Sequence, residues 1–124
     1  MKLFVILIFS IALFVSCKSQ NKEQPELIGI EKIRTDVIGK DVQLVDVRTP
    51  KEYNTGHIDD AINIDFLDES TFTEKVSKLD KEKPVYIYCQ MGGRSKKASQ
   101  KLISMGFKTI YDYSGGYGEW SRQQ

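Results

Sequence analysis

The sequence predicts an α/β fold: a small parallel sheet with helices on both faces. Three observations lead there. Short runs rich in β-branched and aromatic residues, at 42–47, 62–64, 85–88 and 109–111, alternate with segments whose apolar residues recur at helical spacing. The run at 42–47 is apolar along most of its length, as strands covered on both faces are, and it points the same way as the β-branched and aromatic run at 85–88. From Leu27 onward about 100 residues remain, enough for one domain with one core, and they contain no internal repeat or second domain.

The chain begins with Met1-Lys2 and is then apolar from Leu3 to Val15, interrupted only by Ser10. As a helix this stretch would span about 20 Å, short of a hydrocarbon core of about 30 Å. One lysine, a short apolar segment and a small residue before a cysteine form a secretory signal. Phe14-Val15-Ser16-Cys17 resembles a bacterial lipobox, with phenylalanine where leucine is usual. The expected organisation is therefore a signal peptide at 1–16, an acylated Cys17 with a flexible polar tether at 17–26, and the folded domain at 27–124. That places the protein in a bacterial cell envelope, lipid-anchored and facing the periplasm or exterior, with the membrane reached through the anchor.

Within the domain, Ile30, Ile33, Val37 and Ile38 recur at helical spacing before a Gly39-Lys40-Asp41 turn. The strand at 42–47 follows. Thr49-Pro50-Lys51-Glu52 then reads as a capping box, with threonine at N-cap, proline at N1 and glutamate at N3, opening a short helix that ends at Gly56. His57, the one histidine, reads as a structural residue bonded to loop backbone rather than as a base. Asp59-Asp60 forms a turn before the short strand Ile62-Asn63-Ile64. Phe72, Val76 and Leu79 mark a helix after the loop at 65–71, and Lys81-Glu82-Lys83-Pro84 turns into the strand at 85–88. Ala98, Leu102, Ile103 and Met105 form the inner side of the next helix, stopped by Gly106 as its C′ residue. A strand at 109–111 and a last helix carrying Trp120 follow, with Tyr111, Tyr113, Tyr117 and Trp120 read as core closure.

The strand at 85–88 delivers Cys89 into the loop Gln90-Met91-Gly92-Gly93-Arg94-Ser95, and a helix starting near Arg94 or Ser95 follows at once. Core packing needs neither paired glycines nor a cation there. Gly92 and Gly93 permit the positive φ angles of a backbone nest, which would aim N–H groups at the sulfur. The helix start adds positive dipole. A thiol in that position ionises below its ordinary value of about 8.5, so Cys89 reads as a nucleophile. In parallel α/β sheets ligands bind at the carboxyl ends of strands, where Cys89 stands. Lys96 and Lys97 read equally as solvated charges or as a source of local positive potential.

At these residues the chain resembles the rhodanese family. The pattern is Cys89-x-x-Gly92-x-Arg94-Ser95 after an apolar strand, preceded by Leu44-Val45-Asp46-Val47-Arg48-Thr49-Pro50-x-Glu52-Tyr53-x-x-Gly56-His57-Ile58 and Ala61-Ile62-Asn63-Ile64, and followed by Gly115-Gly116 and Trp120. It covers nearly everything from Leu27 to Trp120. The resemblance implies sulfur transfer through a Cys89 persulfide, from thiosulfate or a similar small anionic donor to a thiol or cyanide acceptor. Arg94 would hold the donor or support the loop. Asp46 and Arg48 read as a supporting ion pair, with Arg48 also within reach of an anion.

Rival readings are a non-enzymatic binding or redox-sensing module on the same fold, and a cysteine phosphatase or arsenate reductase. Those enzymes typically place five residues between nucleophile and arginine, whereas four separate Cys89 from Arg94. The chain has eighteen basic and seventeen acidic residues, and removal of 1–16 leaves formal zero charge, so nothing favours a nucleic-acid partner. Of two cysteines, one is assigned to the lipid, so the domain has no internal disulfide. One remaining cysteine and one histidine do not supply a tetrahedral zinc site. A monomer without metal or cofactor is expected.

Overall fold

The computed structural model describes residues 24–124; the expected signal peptide and Cys17 lie outside the described residues. Five strands, β1 (Glu26–Ile28), β2 (Gln43–Asp46), β3 (Ile62–Asn63), β4 (Val85–Tyr88) and β5 (Ile110–Tyr113), alternate with five helices, α1 (Ile30–Asp36), α2 (Pro50–Thr55), α3 (Glu69–Val76), α4 (Gly93–Ser104) and α5 (Gly116–Arg122). The strands form one sheet in the order β1-β5-β4-β2-β3, and every pairing is parallel. The predicted α/β class therefore holds. No described helix is long and apolar enough to cross a membrane.

Strand β4 is the centre of the sheet, and its side chains divide by the two-residue period of a strand. Val85 and Ile87 enter one cluster with Val45, Phe72, Val76, Ala98 and Leu102, which joins the sheet to α3 and α4. Tyr86 and Tyr88 enter the other, with Ile28, Ile33, Val37 and Leu44. All four residues of β4 are buried. Each valine, leucine and isoleucine of the first cluster contributes roughly 1.5–3 kcal/mol by leaving water.

The capping box at α2 forms as predicted: the Glu52 N–H donates to Thr49 Oγ1 and the Thr49 N–H to the Glu52 carboxylate. Asp59 adopts a positive φ of 46° in the turn that follows, and accepts a hydrogen bond from the Gly39 N–H. The Asp68 side chain caps α3, and Gly106, at φ 96°, follows the C-cap of α4. Strand β1 was not predicted. It is a three-residue edge strand with Leu27 exposed, too short to show a period, and its parallel pairing with β5 defines it.

Connections leave β2 and β4, neighbours in the sheet, in opposite directions: β2 leads outward to β3, and β4 leads to β5 on the other side. A crevice opens at the carboxyl ends of such a pair. Asp46 and Arg48 stand at the end of β2, and Cys89 at the end of β4.

Candidate active site

Cys89 follows the last residue of β4 and is only 1% exposed. The Gly92 N–H points at its sulfur, with N to Sγ 3.0 Å. Burial alone pushes a thiol pKa up, but hydrogen bonds from the Ser95 N–H and hydroxyl and from the Gly92 and Met91 N–H groups outweigh it, so the Cys89 pKa lies below its ordinary value. The nest predicted from the glycines is thus present. Gly92 has φ 97°, and a Cβ there would lie 2.7 Å from the Ser114 carbonyl oxygen, so both conformation and space demand glycine. Gly93 does not share this role: it is the first residue of α4 and has no positive φ. The helix starts one residue earlier than the sequence indicated, which brings its N-terminus closer to the sulfur.

The loop is held from outside by α5. The N–H groups of Tyr117 and Gly118 donate to the carbonyls of Cys89 (2.8 Å) and Gln90 (3.0 Å). Gly116, at φ 65°, passes so near that a Cβ would lie 2.5 Å from the Cys89 carbonyl oxygen. In the sequence Gly115-Gly116 is a pattern element and Tyr117 core closure; the brace that Gly116, Tyr117 and Gly118 give the loop has no local signal.

Asp46 and Arg48 form a buried ion pair, Arg48 being 1% exposed. The guanidinium donates through Nε to both Asp46 oxygens at 3.1 Å and through a terminal nitrogen to Oδ2 at 2.7 Å. It also donates to the Gly56 carbonyl (2.7 Å) and to Gln90 Oε1 (3.2 Å), and it lies 4.3 Å from the centre of the Tyr117 ring. Arg48 is enclosed, and its Nε and both terminal nitrogens are bonded within the protein, which is the arrangement of a supporting residue. It ties the end of β2 to Gln90 and α5, the structural role that was also foreseen.

Arg94 is likewise committed. Its two terminal nitrogens donate to Glu52 Oε1 (2.6 Å) and Oε2 (2.9 Å). This fork, then burial acting in the opposite sense, then the Thr49 bonds, leave the Glu52 pKa lowered to about 2. Of the two roles considered for Arg94, support of the loop is the one its geometry serves. Glu52 reads in the sequence as a capping residue; its second task, anchoring the Cys89 loop from 42 residues away, has no local signal.

Ser95 is buried, and its hydroxyl also reaches the Gly92 carbonyl (3.3 Å). The hydroxyl has one proton to give, so the sulfur and this carbonyl are alternative acceptors; Asp112 of β5, beside the same side chain, is a buried carboxyl whose pKa is raised by burial, with Ser95 acting in the opposite sense. His57 behaves as a structural residue, with Nδ1 3.1 Å from the Tyr53 carbonyl and its ring stacked on Tyr53.

A cavity of about 480 Å³ opens over the sulfur, lined by Phe66, Leu67, Cys89, Gln90, Met91, Gly93, Arg94 and Lys97. Met91 is 83% exposed and Leu67 63% exposed, forming an apolar rim. Phe66 and Leu67 carried no sequence signal as site residues; only the β3–α3 loop brings them beside Cys89. The arrangement offers an activated sulfur nucleophile, N–H groups around it and an open approach.

The model of the rhodanese-like domain matches residues 30–123. The uncharacterized protein YqhL of Bacillus subtilis is 41% identical over 78 residues, which are 63% of this chain and 60% of that protein. Thiosulfate sulfurtransferase GlpE of Coxiella burnetii is 36% identical over 81 residues, 65% of this chain and 73% of that one. Among solved structures, the human single-domain sulfurtransferase TSTD1 superposes with a TM-score of 0.67 at 27% identity, over 79% of this chain and 96% of the other.

Proposed function

The chain belongs to the rhodanese-like domain family, and from that premise we propose that it is a sulfurtransferase acting through a Cys89 persulfide. The observation that carries the proposal is the Cys89 sulfur at the end of the central strand, held by the Gly92 N–H at 3.0 Å and easier to ionise than an ordinary thiol despite its burial. Relatives named thiosulfate sulfurtransferase and single-domain sulfurtransferase support the reading.

The Cys89 thiolate attacks the outer sulfur of thiosulfate, a new S–S bond forms, and the donor's S–S bond breaks with its electron pair leaving on sulfite. The enzyme then holds a persulfide anion, which the N–H groups of the loop stabilise as it develops. A thiolate or cyanide attacks the terminal sulfur, and Cys89 leaves as thiolate. No net oxidation or reduction of the enzyme occurs over the cycle, and no cofactor takes part in it. The proposal extends to location: the sequence of residues 1–17 supports export and anchoring through Cys17.

The test is turnover of the purified protein with thiosulfate and cyanide. Thiocyanate formation by the wild type and none by Cys89→Ser is expected. Absence of thiocyanate together with Cys89-dependent hydrolysis of para-nitrophenyl phosphate would contradict the proposal.

A further inference from the structure

Three cationic side chains line the Cys89 cavity or support its wall, and two of them are neutralised. Arg48 is enclosed with Asp46, and the Arg94 fork is closed on Glu52 at 2.6 and 2.9 Å. Lys97 lines the cavity, is exposed, and makes no ion pair with a carboxylate among the described residues. The walls beside it, Phe66, Leu67 and Met91, offer no charge or side-chain hydrogen-bond donor to an anion leaving water. The N–H groups of Met91, Gly92 and Ser95 are engaged with the sulfur. Lys96, the next residue back, lies outside this cavity and lines a separate one with Gln100 and Asp112.

We propose that Lys97 is the specificity-determining cation of the site, gripping the anionic end of a thiosulfate-type donor while its outer sulfur faces Cys89. The assignment rests on the sulfurtransferase reading and deepens it. A lysine suits the task because its ammonium is a point charge on a flexible stem, able to follow the sulfonate group from approach to release as sulfite. An ammonium that contacts the donor equally before and during reaction changes KM rather than kcat.

The experiment is steady-state kinetics with thiosulfate, at low and high ionic strength, on wild type, Lys97→Ala, Lys97→Arg and Lys96→Ala. Lys97→Ala is expected to raise KM for thiosulfate roughly threefold to tenfold, to keep kcat within about twofold, and to flatten the fall of kcat/KM with added salt. Lys97→Arg restores most of the loss, and Lys96→Ala matches the wild type. Lys97→Ala with wild-type KM and salt dependence would overturn the assignment while leaving sulfur transfer intact. An equal effect of Lys96→Ala would overturn it too, by showing a diffuse field rather than a contact. A wild type that consumes no thiosulfate would remove the sulfurtransferase reading, and Lys97 with it.

Discussion

Cys89 sits among apolar side chains, where burial by itself would keep its thiol protonated. Ser95 is the chief opposing influence, through both its N–H and its hydroxyl. Ser95→Ala removes the hydroxyl and keeps the N–H. The thiol pKa should then rise toward the ordinary value, and alkylation of Cys89 by iodoacetamide at neutral pH should slow by about tenfold, the worth of one hydrogen bond to a charged group. The whole pH profile of alkylation should move to higher pH. An unchanged profile would show that the backbone N–H groups suffice. The position of Cys89 was legible in the sequence because a strand end, Gly92 and a helix start are all local features. The share held by Ser95 was not, since the reach of a hydroxyl back toward the sulfur leaves no mark in spacing.

Helix α2 has two functions that meet in one carboxylate. Glu52 completes the capping box with Thr49 and clamps Arg94 at the first turn of α4. Its pKa, lowered to about 2, means that the folded protein favours the charged form more than the unfolded chain does. The resulting stability is fully present above the ordinary carboxylate value of about 4.3 and is lost as pH falls toward about 2. Both partners are partly exposed, so solvent screening limits the contribution. Glu52→Gln should lower stability by about 1–2 kcal/mol at pH 7 and by progressively less as pH approaches 2, measured as denaturant midpoints across that range. A deficit independent of pH would place the effect in packing instead. The capping box was readable from Thr49-Pro50-x-Glu52 because it is completed within four residues. The clamp joins residues 42 apart, and only the folded sheet brings α2 beside α4. Strand β1 escaped for a related reason: three residues at an edge become a strand only through β5.

Over the whole molecule, the parallel sheet and its strand order place the ends of β2 and β4 side by side, so that the Asp46–Arg48 pair braces the loop that carries Cys89. The alternation of strand and helix, the apolar strand that delivers Cys89 and the candidate site at its carboxyl end were legible, because each follows from local period and composition. The order β1-β5-β4-β2-β3 and the cavity wall contributed by Phe66 and Leu67 depend on long-range pairing. The central claim for the assembled molecule is that this frame exists to let one sulfur carry another. Mass spectrometry of the protein before and after exposure to thiosulfate, with Cys89→Ser alongside, tests that most directly. A gain of one sulfur on the Cys89 peptide, absent from the variant and discharged by cyanide, is the predicted result; an unchanged Cys89 peptide, or a sulfur adduct that persists in Cys89→Ser, would contradict it.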